Sequence, residues 1–341
     1  MPDKPIIALD AMGGDFGPEV VVPAAARVLN EIANAQLILV GLEDDIRQQL
    51  EQHSLVESDR LRIQHASEVV AMDESPSQAL RKKKDSSLRV AINLVQQGEA
   101  QAAVSAGNTG ALMATAKFVL KTLPGIDRPA IMTTLPSMHG HTHMLDLGAN
   151  VDCSAEHLFQ FAVMGAITAS AVDNVENPRV GLLNVGSEAM KGNAQVKEAD
   201  RLLQSSNLNY IGFVEGDDIY AGEVDVVVCD GFVGNISLKT SEGVAKMITH
   251  FMKQEFKRNI FTRIAAVFAL PVLNAFKKRV DPRVYNGASL LGLQDIVIKS
   301  HGGADVFSYT NAIKIALLEV EKGIPQRIDK QLETLLEKDV V

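Results

Sequence analysis

The 341-residue sequence predicts an α/β fold: a three-layer α/β/α sandwich around a mostly parallel sheet. Three observations predict it. Short apolar runs such as PIIALD, AAVS, RVGLLN and VDVVVCD do not alternate with polar residues, as expected of strands buried on both faces. Each run leads into a turn holding Gly, Asn or Asp and then into an amphipathic helical pattern. The composition, 46% hydrophobic and 22% charged without a low-complexity tract, is that of a core-forming chain.

Taken in order, PIIALD is the first strand; AMGGDFG turns the chain into the helical segment PEVVVPAAARVLNEI. AQLILVG and LRIQHA read as the next strands. RKKKD (81–85) is a basic run opening a helix over KKKDSSLRVAINLV, and its first reading is a solvated face. AAVS, AGNTG and ALMATAKFVLKTL repeat the strand, turn and helix grammar, and AIMTTLP and HMLDLG are further strands. Between them HGHTH is expected in a turn. Extended, it would put His139, His141 and His143 on one side, as in a metal site, but no carboxylate follows at tight spacing and no metal is expected. RVGLLN passes through VGSEAMKGN into AQVKEADRLLQSS, and VDVVVCD through GFVGN into ISLKTSEGVAKMI. Cys229, ending its apolar run without a histidine partner, reads as a small core residue.

Charge and cysteine content narrow the function classes. A formal net charge of -9 and a pI near 5.4 argue against general nucleic-acid binding. Two cysteines outside any CxxC pair suggest neither a disulfide framework nor a zinc knuckle, and fit a reducing, cytoplasmic setting. MPDKPIIALD lacks the pattern of a signal peptide, and no apolar run reaches the length of a spanning helix.

Ligands of open parallel sheets bind beyond the carboxyl ends of strands, so the four Gly-rich turns are expected on one edge. The first offers Asp10, Gly13, Gly14 and Asp15; the second Ser105, Gly107, Asn108, Thr109 and Gly110. The third offers Asn184, Glu188 and Lys191, the fourth Asp230, Gly231, Gly234 and Asn235, and LDLGAN adds Asp146 and Asn150. Helix N-termini and close-approaching glycine backbone suit an anion such as phosphate. The third turn is not a nucleotide P-loop: Lys191 precedes Gly192, and no Ser or Thr follows directly. Lys191 is either a cation for the anion or half of a structural ion pair.

DAMGGD, SAGNTGALM, LDLGAN, NVGSEAMKG and DGFVGN, in this order, resemble the acyl-carrier-protein:phosphate acyltransferases of bacterial phospholipid synthesis, the PlsX family, from about residue 5 to 328. The resemblance implies a fold related to phosphotransacetylases and to isocitrate and isopropylmalate dehydrogenases. It implies transfer of a long-chain acyl group from acyl carrier protein to inorganic phosphate, with no cofactor and no covalent enzyme intermediate. Lys191 and Asp230 would be the catalytic pair. Lys191 would stabilise either the oxyanion or the phosphate, and Asp230 would either orient Lys191 or accept a proton. His301, in the run QDIVIKSHGG, is a further candidate for phosphate or carrier contact, or a structural residue. The chain departs from the family pattern at Asn286, where a glycine is favoured, and at Ser289, where a proline is; both put the local loop shape in question.

Residues 251–281 form a positive island flanking the apolar IAAVFALPVL, which Pro271 interrupts. The pattern suits helices pressed on an anionic lipid surface, a helical dimer interface or a core hairpin. With the resemblance, the expectation is one α/β catalytic unit over residues 1–341 carrying a helical excursion at roughly 240–290. Arg258, Arg263, Phe268, Leu273, Lys277 and Lys278 would meet membrane or carrier protein. The expected partners are acyl carrier protein, phosphate, a second copy in a homodimer, and a downstream membrane glycerol-3-phosphate acyltransferase. The expected location is the cytoplasmic face of the cell membrane, and the RKKKD run is either a solvated face or a landing site for the acidic carrier. A phosphotransacetylase acting on acetyl-CoA and a non-catalytic membrane scaffold are the alternatives.

Overall fold

The computed structural model describes residues 4–336, and the side chains of 277, 280 and 333–336 lie outside the description. The first half of the chain runs β1 (Ile6–Asp10), α1 (Pro18–Glu31), β2 (Gln36–Gly41), α2 (Glu43–Gln52), β3 (Leu61–His65), α3 (Pro76–Lys82), α4 (Ser87–Gln96), β4 (Ala102–Ser105), α5 (Thr109–Leu120), β5 (Ala130–Ser137), β6 (Gly140–Leu145) and α6 (Ala155–Asp173). The second half runs β7 (Val180–Leu183), α7 (Ala194–Gln204), β8 (Tyr210–Val214), α8 (Asp218–Ala221), β9 (Val226–Val228), α9 (Gly231–Lys257), α10 (Ile260–Val280), β10 (Ala288–Leu291), β11 (Ile296–Lys299), α11 (Val306–Lys322) and α12 (Ile324–Leu336).

Among the described residues the strands form one 11-stranded sheet in the order β3-β2-β1-β4-β11-β10-β5-β6-β9-β7-β8. Pleating sends alternate residues to opposite faces. Ile7 and Leu9 of β1 pack with α1 and α11, while Ala8 joins the cluster under α4 and α5. In β9, Val226 and Val228 pack with α6, α7 and α12, and Val227 faces the other way. Both faces are therefore covered, which gives the three layers expected and explains the unbroken apolar runs.

Three pairings are antiparallel: β10 with β11, β10 with β5, and β5 with β6. Three reversals leave the β6, β9, β7 and β8 group running opposite to β3, β2, β1, β4 and β11. The four Gly-rich turns therefore do not share one edge of the sheet, contrary to the expectation from sequence. Those after β1 and β4 lie at one edge; those after β7 and β9, with the one after β6, lie at the other. β8, an edge strand interrupted by Gly212, and β10, interrupted by Ser289, lack the unbroken apolar run that marks a strand buried on both faces.

The turns start helices by a shared device. Asn108, Asn193 and Asp230 each accept a hydrogen bond from the backbone N–H three residues on, at 2.9, 2.8 and 2.8 Å, and so cap α5, α7 and α9. Two local expectations fail. The basic run closes α3 rather than opening the next helix, because Ser86 caps α4 and starts it at Ser87. HGHTH is not a turn as a whole: His139 lies in the tight β5–β6 hairpin turn, while His141 and His143 are on β6.

α9 and α10 form the helical pair. Asn259, capping α10 in a reciprocal box with Thr262, sets the bend between them. Among the described side chains, only Gly231 and Gly234 are buried in α9, and none is buried in α10. Among the described residues no helix is long and apolar enough to cross a membrane.

Candidate active site at two ends of one sheet

At the carboxyl end of β1 and β4, three loops interlock. Asp10 is buried, and Ser105 Oγ donates to its Oδ2 at 2.6 Å, while the Gly107 N–H donates to Ser105 Oγ at 3.0 Å. Burial raises the Asp10 pKa, opposed by the Ser105 hydroxyl and the charge of Lys299. Side chains are excluded here for steric reasons. A Cβ on Gly13 would stand 2.6 Å from Asp10 Oδ2 and 2.7 Å from the Gly107 nitrogen. Gly14, at φ 87°, would meet the Gly302 carbonyl at 2.7 Å. The Asp15 N–H donates to that same carbonyl at 2.9 Å.

Asn108 donates through Nδ2 to the carbonyls of Met72 and Glu74 at 2.8 and 2.9 Å, tying the α3 approach to the N-terminus of α5. Thr109 and Gly110 are exposed on the first turn of α5, with Gly110 against Pro76. The N-terminal amides of this helix are suited to an anion.

The structure adds Lys299 to this end. It closes β11, is 9% exposed, and donates to the Ala106 carbonyl at 3.2 Å and to that of Ser300. Burial pushes its pKa down to about 8, opposed by Asp10 and Asp15. A lysine ending the apolar run IVI just before SHGG is the sequence signal for it. His301 follows. The Gly303 N–H donates to its Nδ1 at 3.0 Å, so the neutral ring carries its proton on Nε2 and offers a donor there. Burial lowers its pKa, which favours that neutral form.

Asn286, the first departure from the family pattern, holds this loop. Its Nδ2 donates to Ser300 Oγ and the Ser308 carbonyl, both at 2.8 Å, and its Oδ1 accepts from the His301 N–H at 3.0 Å. Ser289, the second departure, donates to Glu319, whose pKa burial raises to about 7.

At the other end, Asp146 is buried and fully employed. Its carboxylate accepts from the N–H groups of Ile131, Ala149 and Asn150 at 2.9, 3.2 and 2.7 Å, and from Asn150 Nδ2 at 2.9 Å. Asn150 also donates to the Pro129 carbonyl at 2.8 Å and accepts from the Gly231 N–H at 2.8 Å. These two residues shape the loop under Asp230 and leave little for a ligand. Gly231 and Gly234 have no room for a side chain against Asn150 and the Asp146 carbonyl. Asp230 uses Oδ1 for its cap and is half-buried; Asn235 is exposed beside Gly148. Cys229 is 4% exposed with its thiol against the Asp146 carbonyl, in keeping with a core role, and burial pushes its pKa well up.

Lys191 lies in an exposed loop, folded back over Gly186, with Nζ 2.6 Å from a Glu188 oxygen. Glu188 raises the lysine pKa, with Glu215 adding to the effect. Asn184 donates to the Gly186 carbonyl at 3.0 Å, closing the same loop. No hydrogen bond or ion pair joins Lys191 to Asp230 among the described residues. α9 links the two ends: it starts at Asp230, and the charges of Glu242, Lys239 and Lys246 along it are felt at His301.

On the helical pair, Phe268 is 81% exposed, and Arg258, Arg263 and Lys278 are exposed, with Glu255 pairing Arg258 at 3.1 Å. Leu273 is half-buried, and the Lys277 side chain lies outside the described residues.

The fold defines an α/β protein built like the phosphotransacetylases. The chain superposes on a phosphotransacetylase from Streptococcus pyogenes with a TM-score of 0.62 at 19% identity, covering 94% of each chain. It also superposes on the EutD phosphotransacetylase from Staphylococcus aureus with a TM-score of 0.61 at 17% identity, covering 93% of this chain and 94% of that one. At such identities the likeness is one of fold, and the expected phosphotransacetylase-like fold is met. In sequence, the profile of the family described as "Fatty acid synthesis protein" matches residues 6–327. The phosphate acyltransferase of Alkalilimnicola ehrlichii is 64% identical over 98% of both chains, and that of Methylococcus capsulatus 64% identical over 96% of both. The chain belongs to this family of phosphate acyltransferases.

Proposed function

We propose that this phosphate acyltransferase moves a long-chain acyl group from acyl carrier protein to inorganic phosphate by direct attack of phosphate on the thioester. The observation that carries the reading is 64% identity with phosphate acyltransferases over nearly the whole chain. Phosphate is already anionic and nucleophilic at neutral pH, so the protein must hold and aim it, within about 3–3.5 Å of the thioester carbon. The N-terminus of α5, with Thr109 and Gly110, and the His301 Nε2–H are suited to holding it. Attack forms a phosphate O–C bond and moves charge to the carbonyl oxygen. Collapse breaks the C–S bond, and the leaving thiolate takes the proton that phosphate gives up. Lys191 supplies a positive charge either to the oxyanion or to the phosphate; Asp230 either orients the lysine or relays the proton. The lysine would have to leave Glu188, an exchange easy for an exposed pair.

Four partners belong to the same proposal. The exposed Arg81, Lys82 and Lys84 beside α5 suit the acidic carrier protein. The α9–α10 pair suits peripheral contact with an anionic membrane at its cytoplasmic face, from which acyl phosphate passes to a membrane glycerol-3-phosphate acyltransferase. A homodimer is the expected assembly.

The deciding experiment incubates the protein with long-chain acyl carrier protein and phosphate and measures acyl phosphate, with acetyl-CoA as a second donor. Acyl phosphate from the carrier substrate is expected. Turnover of acetyl-CoA alone would replace the reading with that of a phosphotransacetylase.

A further inference from the structure

The fold brings a carboxylate to the two histidines of β6 that the sequence left without one. Asp173 ends α6, thirty residues beyond His143. Its Oδ1 lies 3.0 Å from His141 Nε2 and its Oδ2 lies 2.7 Å from His143 Nε2, and the three ligand-capable groups fall within 4.8 Å of one another. The rings meet edge to face with centroids 5.1 Å apart, so both Nε2 atoms converge on one carboxylate.

The surroundings fit a ligand set. His143 is 3% exposed, and its Nδ1 is 3.1 Å from Thr134 Oγ1, an outer hydrogen bond that leaves Nε2 for coordination. His141 is half-buried, which keeps one side open for water. Asp225, the other carboxylate whose charge is felt at His141, is committed to Arg179, which donates to both its oxygens at 3.0 and 2.8 Å. The Tyr285 ring stands 6.5 Å from that of His141. Ligand atoms about 2.1 Å from a tetrahedral metal stand roughly 3.4 Å apart, so small side-chain adjustments admit an ion.

We propose that His141, His143 and Asp173 form a zinc site of the two-histidine, one-carboxylate type, pinning the start of β6 to the end of α6. Two imidazoles and one carboxylate are borderline ligands that select a first-row divalent ion over magnesium or calcium. Asp173 supplies the carboxylate that no residue close to HGHTH in the sequence offers.

The test is made on the full-length protein after chelator treatment and dialysis. Zinc is titrated calorimetrically, bound metal is counted by elemental analysis, and Tm is recorded with and without zinc. One zinc per chain and a raised Tm are expected. Asp173→Asn, which keeps the side-chain shape, and His141→Ala, at a half-exposed position, should each weaken binding about 100-fold or more and abolish the Tm rise. His139→Ala, in the hairpin turn outside the cluster, should bind as the unaltered protein does. Zinc below one per chain in the unaltered protein, or zinc kept by both cluster variants, overturns the proposal.

Discussion

At the scale of single residues, Lys191 and Glu319 make opposite demands on their surroundings. Lys191 is exposed and, among the described residues, its ammonium pairs with Glu188 alone, so Lys191→Ala should leave Tm unchanged. If the lysine stabilises charge in the transition state, the same variant should lose acyl phosphate formation on the order of 100-fold or more. Steady-state kinetics beside a melting curve check both, and full activity would remove Lys191 from the mechanism. Glu319 is fully buried with its pKa raised to about 7. An acid raised in the folded state keeps its proton while the unfolded chain has lost it. Stability from this group is therefore intact below the unfolded value near 4.5 and falls as pH rises toward about 7. Glu319→Gln should remove that fall, roughly 3 kcal/mol between these limits. Denaturant titrations at pH 5 and 8 read the difference, and parallel pH profiles for the two proteins would reject it.

At the scale of elements, the sequence was legible where a short apolar run, a turn and a cap coincide. The helices after SAGN, VGSEAMKGN and VVVCD start where Asn or Asp could accept a backbone N–H. Lys299 was not legible as a site residue, because its meaning comes from Asp10 and Asp15, nearly 300 residues away in the chain. Asp146 and Asn150 read as ligand contacts because they are polar and lie in a turn. The fold spends their hydrogen bonds on the loop itself. On α10, Phe261, Ile264, Phe268 and Val272 recur at spacings of three and four and all stand exposed. If this stripe enters a lipid surface, Phe268→Glu with Leu273→Glu should abolish sedimentation with anionic vesicles. Turnover of soluble substrate should continue. Unchanged sedimentation would assign the stripe to another role.

At the scale of the whole molecule, strand direction is the property that local sequence conceals. A parallel sheet was readable from unbroken apolar runs, but the reversals at β10, β5 and β6 depend on how distant strands pair. They put Lys191 and Asp230 at one edge, and Asp10, Ser105, Lys299 and His301 at the other. A homodimer that brings one copy's first edge against its partner's second edge would complete each site in trans, as a two-fold interface can. Lys191→Ala and His301→Ala, both at exposed positions, should then be nearly inactive alone. After denaturation and refolding together, random pairing should restore about a quarter of the sites, since only the mixed dimer carries one intact site. Assays of acyl phosphate formation against each variant refolded alone measure the recovery. Its absence, with dimers of mixed composition shown by mass, would reject a site completed in trans.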